Sequence, residues 1–124
     1  MNNLTFFLIQ EVLDTVEEYM PNENRWQMYA MTLNKKRSGV KAIVFQDKVF
    51  VIGGFDGINR LKSVECFTPG AIRPVWHQVP DMNRRRSNFA VTTLEGKIFV
   101  SGNFSCFLLY SMTQFTQWTD TILR

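Results

Sequence analysis

The chain repeats itself. Displaced by 49 residues, Arg37-Ser-Gly-Val-Lys-Ala-Ile-Val-Phe-Gln-Asp-Lys-Val-Phe-Val-Ile-Gly-Gly54 falls on Arg86-Ser-Asn-Phe-Ala-Val-Thr-Thr-Leu-Glu-Gly-Lys-Ile-Phe-Val-Ser-Gly-Asn103. The register extends upstream: Val16-Glu-Glu-Tyr-Met-Pro21, then Trp26 and Met31, returns as Val64-Glu-Cys-Phe-Thr-Pro69, then Trp76 and Met82. No other feature limits the fold as much. A unit of this size cannot bury an apolar face by itself, so successive copies must stack and share a core.

Within the unit, Val40 to Phe45 and Lys48 to Ile52 are runs rich in β-branched and aromatic residues, separated only by Gln46-Asp47. That pattern predicts a hairpin with a two-residue turn. Leu61 to Phe67 predicts a third strand and Val75 to Val79 a fourth, divided by a turn at Thr68-Pro69-Gly70. The next copy repeats the hairpin as Phe89 to Leu94, Glu95-Gly96 and Lys97 to Ser101.

The glycines of Val49-Phe-Val-Ile-Gly-Gly-Phe-Asp-Gly57 raise a rival reading as a phosphate cradle. A dinucleotide loop would read GxGxxG and open a helix, and a P-loop would close on Lys followed by Ser or Thr. Here Ile58 to Glu65 is followed at once by Pro69 and Gly70, which leaves no room for a helix of useful length. Gly53 and Gly54 are therefore expected to end a strand at a crowded place that a side chain would obstruct. Trp26, Trp76, Tyr19 and Phe67 recur with the repeat and are expected to pack as core between neighbouring sheets.

Composition fits one folded domain, with 124 residues of which 45% are hydrophobic and 14% aromatic. The net charge of +3, from 14 basic and 11 acidic residues, is too small a footprint for a nucleic-acid binder. No run reaches the roughly 18 apolar residues of a membrane span. Leu4 to Ile9 is apolar but lacks a basic flank and a small-residue cleavage site, so residues 1–11 read as an apolar segment and not a signal peptide. Cys66 and Cys106 show neither metal-ligand nor disulfide spacing, in keeping with a cytoplasmic chain in which the sequons at Asn3 and Asn103 are inert. His77 is the single histidine. Asp47 and Asp56 stand in turns without a partner, so no catalytic residue, metal site or cofactor is expected and the chain reads as a non-enzyme.

A unit of this length with "VFVIGGFDGINRLKSVECFTP", a later Trp and Met, and then "RRRSNFAVTTLEGKIFVSG" resembles the kelch domain of the kelch-like adaptor proteins, over roughly residues 12 to 103. Two positions depart from the pattern. Asn103 replaces the second glycine, and Met20 and Thr68 stand where an Asp precedes Pro. The resemblance implies an all-β fold, a partial kelch β-propeller of about two and a half blades of four-stranded antiparallel sheet. Residues 12–36 would supply the outer strands of an incomplete first blade, 37–85 a complete blade, and 86–124 a degenerate or truncated one. In the last, Leu108-Leu-Tyr110 and Trp118 imitate the outer half, and Gly102 keeps the strand-ending glycine.

By the same resemblance, the arginine before each blade's first strand and the small residue after it line one mouth of the propeller and touch the partner. Those positions are Arg37, Ser38, Arg86 and Ser87, with Phe55, Asp56, Asn59 and Arg60 on a neighbouring loop. Converging guanidinium groups would favour an acidic peptide segment of a protein substrate. The family's role implies the substrate-recognition part of a cullin-RING E3 ubiquitin ligase adaptor, truncated, with cullin held only through a BTB domain absent from this sequence. The alternative is an actin-binding kelch protein of the cytoskeleton. Copper oxidases built on kelch propellers use tyrosine and histidine ligands, which one histidine does not provide.

Overall fold

The computed structural model describes residues 11–102, and the expectations for Leu4 to Ile9, Asn103, Leu108 to Tyr110 and Trp118 lie outside them. Every regular element among the described residues is a strand. β1 (Glu17–Met20) and β2 (Arg25–Met28) make one antiparallel pair. β3 (Lys41–Phe45), β4 (Lys48–Ile52), β5 (Val64–Phe67) and β6 (His77–Val79) follow as a four-stranded meander, and β7 (Ala90–Leu94) and β8 (Lys97–Ser101) form a last pair. A four-stranded meander is one propeller blade, flanked here by the outer strands of one blade and the inner strands of another.

The hairpins form where expected because their turns adopt the left-handed backbone that suits a twisted strand pair. Gln46 and Asp47 have φ of 49° and 58°, and Glu95 and Gly96 have 49° and 68°. Registers match accordingly, closing on Phe45↔Lys48 and Leu94↔Lys97. β3 starts one residue later than the sequence pattern suggests, at Lys41, and three further strands also start later, each because a backbone group is engaged elsewhere. The Leu61 N–H donates to the Gly54 carbonyl (2.7 Å) and its carbonyl accepts from Arg86 (2.9 Å), so β5 begins at Val64. The Trp76 carbonyl accepts from the Asn34 side chain (2.9 Å), and β6 begins at His77. Asn88 donates to the Gly39 carbonyl (2.9 Å), which leaves Phe89 as a buried plug before β7.

The core lies in two seams between sheets. On one face of β4, Val51 joins Leu33, Phe67 and Trp76, with Val16, Tyr29 and Met31 of the first unit packed against them. On the other face, Ile52 joins Val64 and Phe89, backed by Val91, Ile98 and Val100 of the third unit. Strand alternation thus lets one sheet serve two neighbours. Phe67 lies 5.3 Å from Trp76 and meets Tyr29 edge-on at 5.6 Å, a geometry that adds to the burial itself.

The repeat positions divide here. Phe67 and Trp76 are core, whereas Tyr19 is 42% and Trp26 65% exposed, a correction to the expectation that all four are buried. Tyr19 and Trp26 face each other across the β1–β2 register and stack at 5.2 Å, with no sheet among the described residues covering them.

The glycine pair ends β4 in left-handed backbone, at φ of 58° for Gly53 and 104° for Gly54. A Cβ on Gly53 would stand 2.5 Å from the Arg86 carbonyl, and one on Gly54 2.7 Å from the Ser38 carbonyl. The bare backbone also lets the Gly54 N–H reach the Arg86 carbonyl at 2.8 Å, which ties the blade to the following unit. Gly70 has a similar φ of 75° but open space around it. Gly70→Ala should therefore cost about 1 kcal/mol from the backbone alone, and Gly53→Ala about 3 kcal/mol once the collision is added. Urea denaturation of the two variants measures the difference, and equal losses would contradict the packing account.

Candidate functional site

Arg37 points into the blade and not to the mouth. Its guanidinium is fully enclosed, as is the carboxylate of Glu65 beside it. Nε and Nη2 donate to Glu65 Oε2 at 3.1 and 2.8 Å. Nη1 donates to the carbonyls of Gly53 (2.8 Å) and Ser63 (2.9 Å), and Nη2 also to Ser63 Oγ (2.9 Å). The other carboxylate oxygen accepts the Asn34 N–H at 2.8 Å. The structure therefore corrects the expectation of an exposed contact, because every face of the guanidinium is engaged. Full engagement is also what makes a buried ion pair tolerable, since each charge removed from water needs partners on all sides. Glu65 went unnoticed in the sequence, although the Val-Glu of both copies was its signal.

Ser38 and Ser87 are buried too. Ser38 exchanges backbone hydrogen bonds with Phe55 at 2.9 and 2.8 Å, which pins the start of the loop from Phe55 to Arg60. Arg86 is partly exposed and repeats one bond of Arg37, from Nη1 to the carbonyl of Gly102 at 2.7 Å. Three of the four expected contact residues, Arg37, Ser38 and Ser87, are thus buried, and only Arg86 reaches solvent.

What faces solvent is the loop and the basic residues around it. Asp56 Oδ1 accepts the N–H groups of Ile58 (2.9 Å) and Asn59 (2.7 Å), folding the loop on itself. Lys35 Nζ stands 3.8 Å from Asp56 Oδ2. Arg85 Nη1 donates to the Arg60 carbonyl at 3.1 Å, bringing the run at Arg84, Arg85 and Arg86 to the loop. Ile58 is 84% exposed, and Asn59 and Arg60 after it are exposed as well. The outcome is a basic surface with one apolar side chain, organised by the single carboxylate of Asp56. Among the described residues no group of His, Cys, Asp and Glu is placed to hold a metal ion, and no helix is long and apolar enough to cross a membrane.

The N–H groups of Asn59 and Ile58 hold the Asp56 carboxyl below its ordinary value of 3.8, with a smaller pull from Lys35 and some opposition from burial. A depressed folded value means that the loop's order is fully present above the ordinary carboxylate range and is lost as pH falls through the folded value. The Ile58 and Asn59 amide resonances should titrate with a midpoint below 3.8, and a midpoint at or above 3.8 would contradict the turn. Stability separates the two arginines. Arg37→Ala strands a buried carboxylate and should cost about 3–5 kcal/mol, whereas Arg86→Ala should cost about 1 kcal/mol, both read by chemical denaturation.

Comparison with known proteins agrees with this architecture. The family model described as Kelch motif matches residues 36–83, the four-stranded blade with its leading arginine. Kelch-like protein 28 of Mus musculus is 36% identical over 100 residues, covering 74% of this chain and 17% of that protein. Kelch-like protein 6 of Homo sapiens is 33% identical over 93 residues, covering 75% of this chain and 14% of that protein. Kelch repeat and BTB domain-containing protein 2 of Cowpox virus is 27% identical over 89 residues, covering 72% and 16%. The chain thus spans less than one fifth of each relative it matches. With the arginine, the glycine pair and the meander in the places such a motif requires, the chain belongs to the kelch-repeat family, as part of a kelch propeller.

Proposed function

We infer that this chain, a protein-interaction module by its kelch repeats, recognises an acidic segment of a protein substrate on the basic mouth beside the loop from Phe55 to Arg60. The observation that carries this reading is the bond from the Arg85 guanidinium to the Arg60 carbonyl, which joins the basic run to a loop on which Ile58, Asn59 and Arg60 are exposed. Guanidinium forks suit carboxylates, and an apolar side chain among them gives a peptide something to bury. Phe55, Asp56, Asn59 and Arg60 remain contact residues in this reading, with Arg84 and Arg85 beside them. Arg37, Ser38 and Ser87 support the mouth from within, and Arg86 stands at its margin.

The adaptor role extends the same reading. The cowpox virus relative's name joins a BTB domain to its kelch repeats. A chain of that build would hold substrate on the propeller and a cullin through the BTB domain, as the substrate-recognition part of an E3 ubiquitin ligase adaptor. The work of this chain in such an assembly is binding, with no catalytic step of its own.

Short peptides selected from a displayed library on the purified chain should be acidic. The double variant Arg60→Glu, Arg85→Glu should bind them at least about tenfold more weakly, a change of about 1.4 kcal/mol. Its thermal stability should be unchanged, because both side chains are exposed. Selection of basic peptides, or unchanged affinity in the variant, would contradict the assignment.

A further inference from the structure

The two ends of the described arc are complementary. β1 and β2 occupy the outer places of one blade, and β7 and β8 the inner places of another. In the complete blade the junction between such halves is the pairing of β4 with β5, from Val49↔Phe67 to Ile52↔Val64. Transferred through the repeat, that register sets Ile98 opposite Tyr19, Val100 opposite Glu17 and Ser101 opposite Val16. β8 and β1 each have one edge without a strand partner among the described residues.

Charge matches across that junction. Within the complete blade, Arg37 before β3 meets Glu65 on β5. Their repeat counterparts are Arg86 before β7 and Glu17 on β1. Arg86 keeps the bond to a strand-ending glycine but meets no carboxylate among the described residues, and Glu17 is exposed without a basic partner among them.

Shape matches as well. The Phe67–Trp76 pair rests against Val49 and Val51 of β4. The counterparts of those valines, Ile98 and Val100, line an open groove of about 240 Å³ with Phe50, Ile52, Val79 and Met82. The Tyr19–Trp26 pair has nearly the same ring spacing, 5.2 against 5.3 Å, and stands in solvent. One end has a ring pair without a seat, and the other has a seat without a ring pair.

We propose that β1 and β2 of a second copy of this chain dock on β8, completing a blade between two molecules. Glu17 of one copy pairs with Arg86 of the other, and Tyr19 and Trp26 fill the groove. Residues 104–124 of the same chain compete for this place, since Tyr110 and Trp118 have similar spacing. Aligned on Tyr110, however, Leu108 stands where Glu65 precedes Phe67, whereas β1 offers Glu17 at that position. The contact joins different surfaces and so runs head to tail, closing into a ring where the rotation allows. The eight strands described in each copy amount to two blades, and rings of two to four copies span the four to eight blades of propellers.

The test is the mass of the purified 124-residue chain and its variants by light scattering during gel filtration, with circular dichroism to establish folding. The unaltered chain should run above the monomer mass. Glu17→Arg and Arg86→Glu should each return it to a folded monomer, and the double variant Glu17→Arg, Arg86→Glu should restore assembly. A second readout needs no variant: diluting the unaltered chain should shift tryptophan emission to the red as Trp26 returns to solvent. A monomeric unaltered chain, with residues 104–124 or nothing on β8, would overturn the proposal. So would association or aggregation that persists in both single variants.

Discussion

Glu65 has no contact with water, and Arg37 is enclosed against it. An uncompensated carboxylate in that position would be expensive enough to unfold a domain of ordinary stability. The pair is therefore a condition that the surrounding chain has to meet. It is met by Asn34, Gly53 and Ser63, which bring the entry to the blade, the end of β4 and the approach to β5 to one point. The interaction specifies geometry more than it supplies net stability, because its Coulomb gain is set against the desolvation of two charges.

From that point the blade is built outwards. The chain leaves Arg37 into Ser38, whose backbone pairs with Phe55, so the loop from Phe55 to Arg60 starts where the ion pair sets it. The Gly53 carbonyl accepts from Arg37 while its missing side chain admits the Arg86 backbone of the next unit. One short glycine stretch thereby serves the interior of its own blade and the seam to its neighbour. The apolar seams follow on the two faces of β4, and Arg85 of the following unit donates to the Arg60 carbonyl at the end of the loop.

Much of the fold was legible in the sequence, because strands, turns and the glycine pair depend on local pattern and the repeat provides each pattern twice. The hairpins at Gln46-Asp47 and Glu95-Gly96 stand where the runs of β-branched residues place them. Burial was less legible, since it depends on what a neighbouring sheet covers. Tyr19 and Trp26 hold the same repeat positions as Phe67 and Trp76, yet the first pair is exposed and the second is core. Arg37 failed for a related reason. A single arginine in a sequence carries no direction, and only its partner Glu65, distant in the chain, shows that it turns inward. The segment from Phe55 to Arg60 was legible as a loop, but its link to Arg85 is a backbone carbonyl contact that no residue type announces.

The central claim is that Arg37 and Glu65 act as a unit. A double-mutant cycle tests it most directly, with Arg37→Met, Glu65→Leu and both together, each unfolded in urea. The account predicts a coupling energy of about 2–3 kcal/mol, with the double variant more stable than the sum of single losses allows. Additive losses, with coupling near zero, would contradict it and would mean that the two charges are buried for separate reasons.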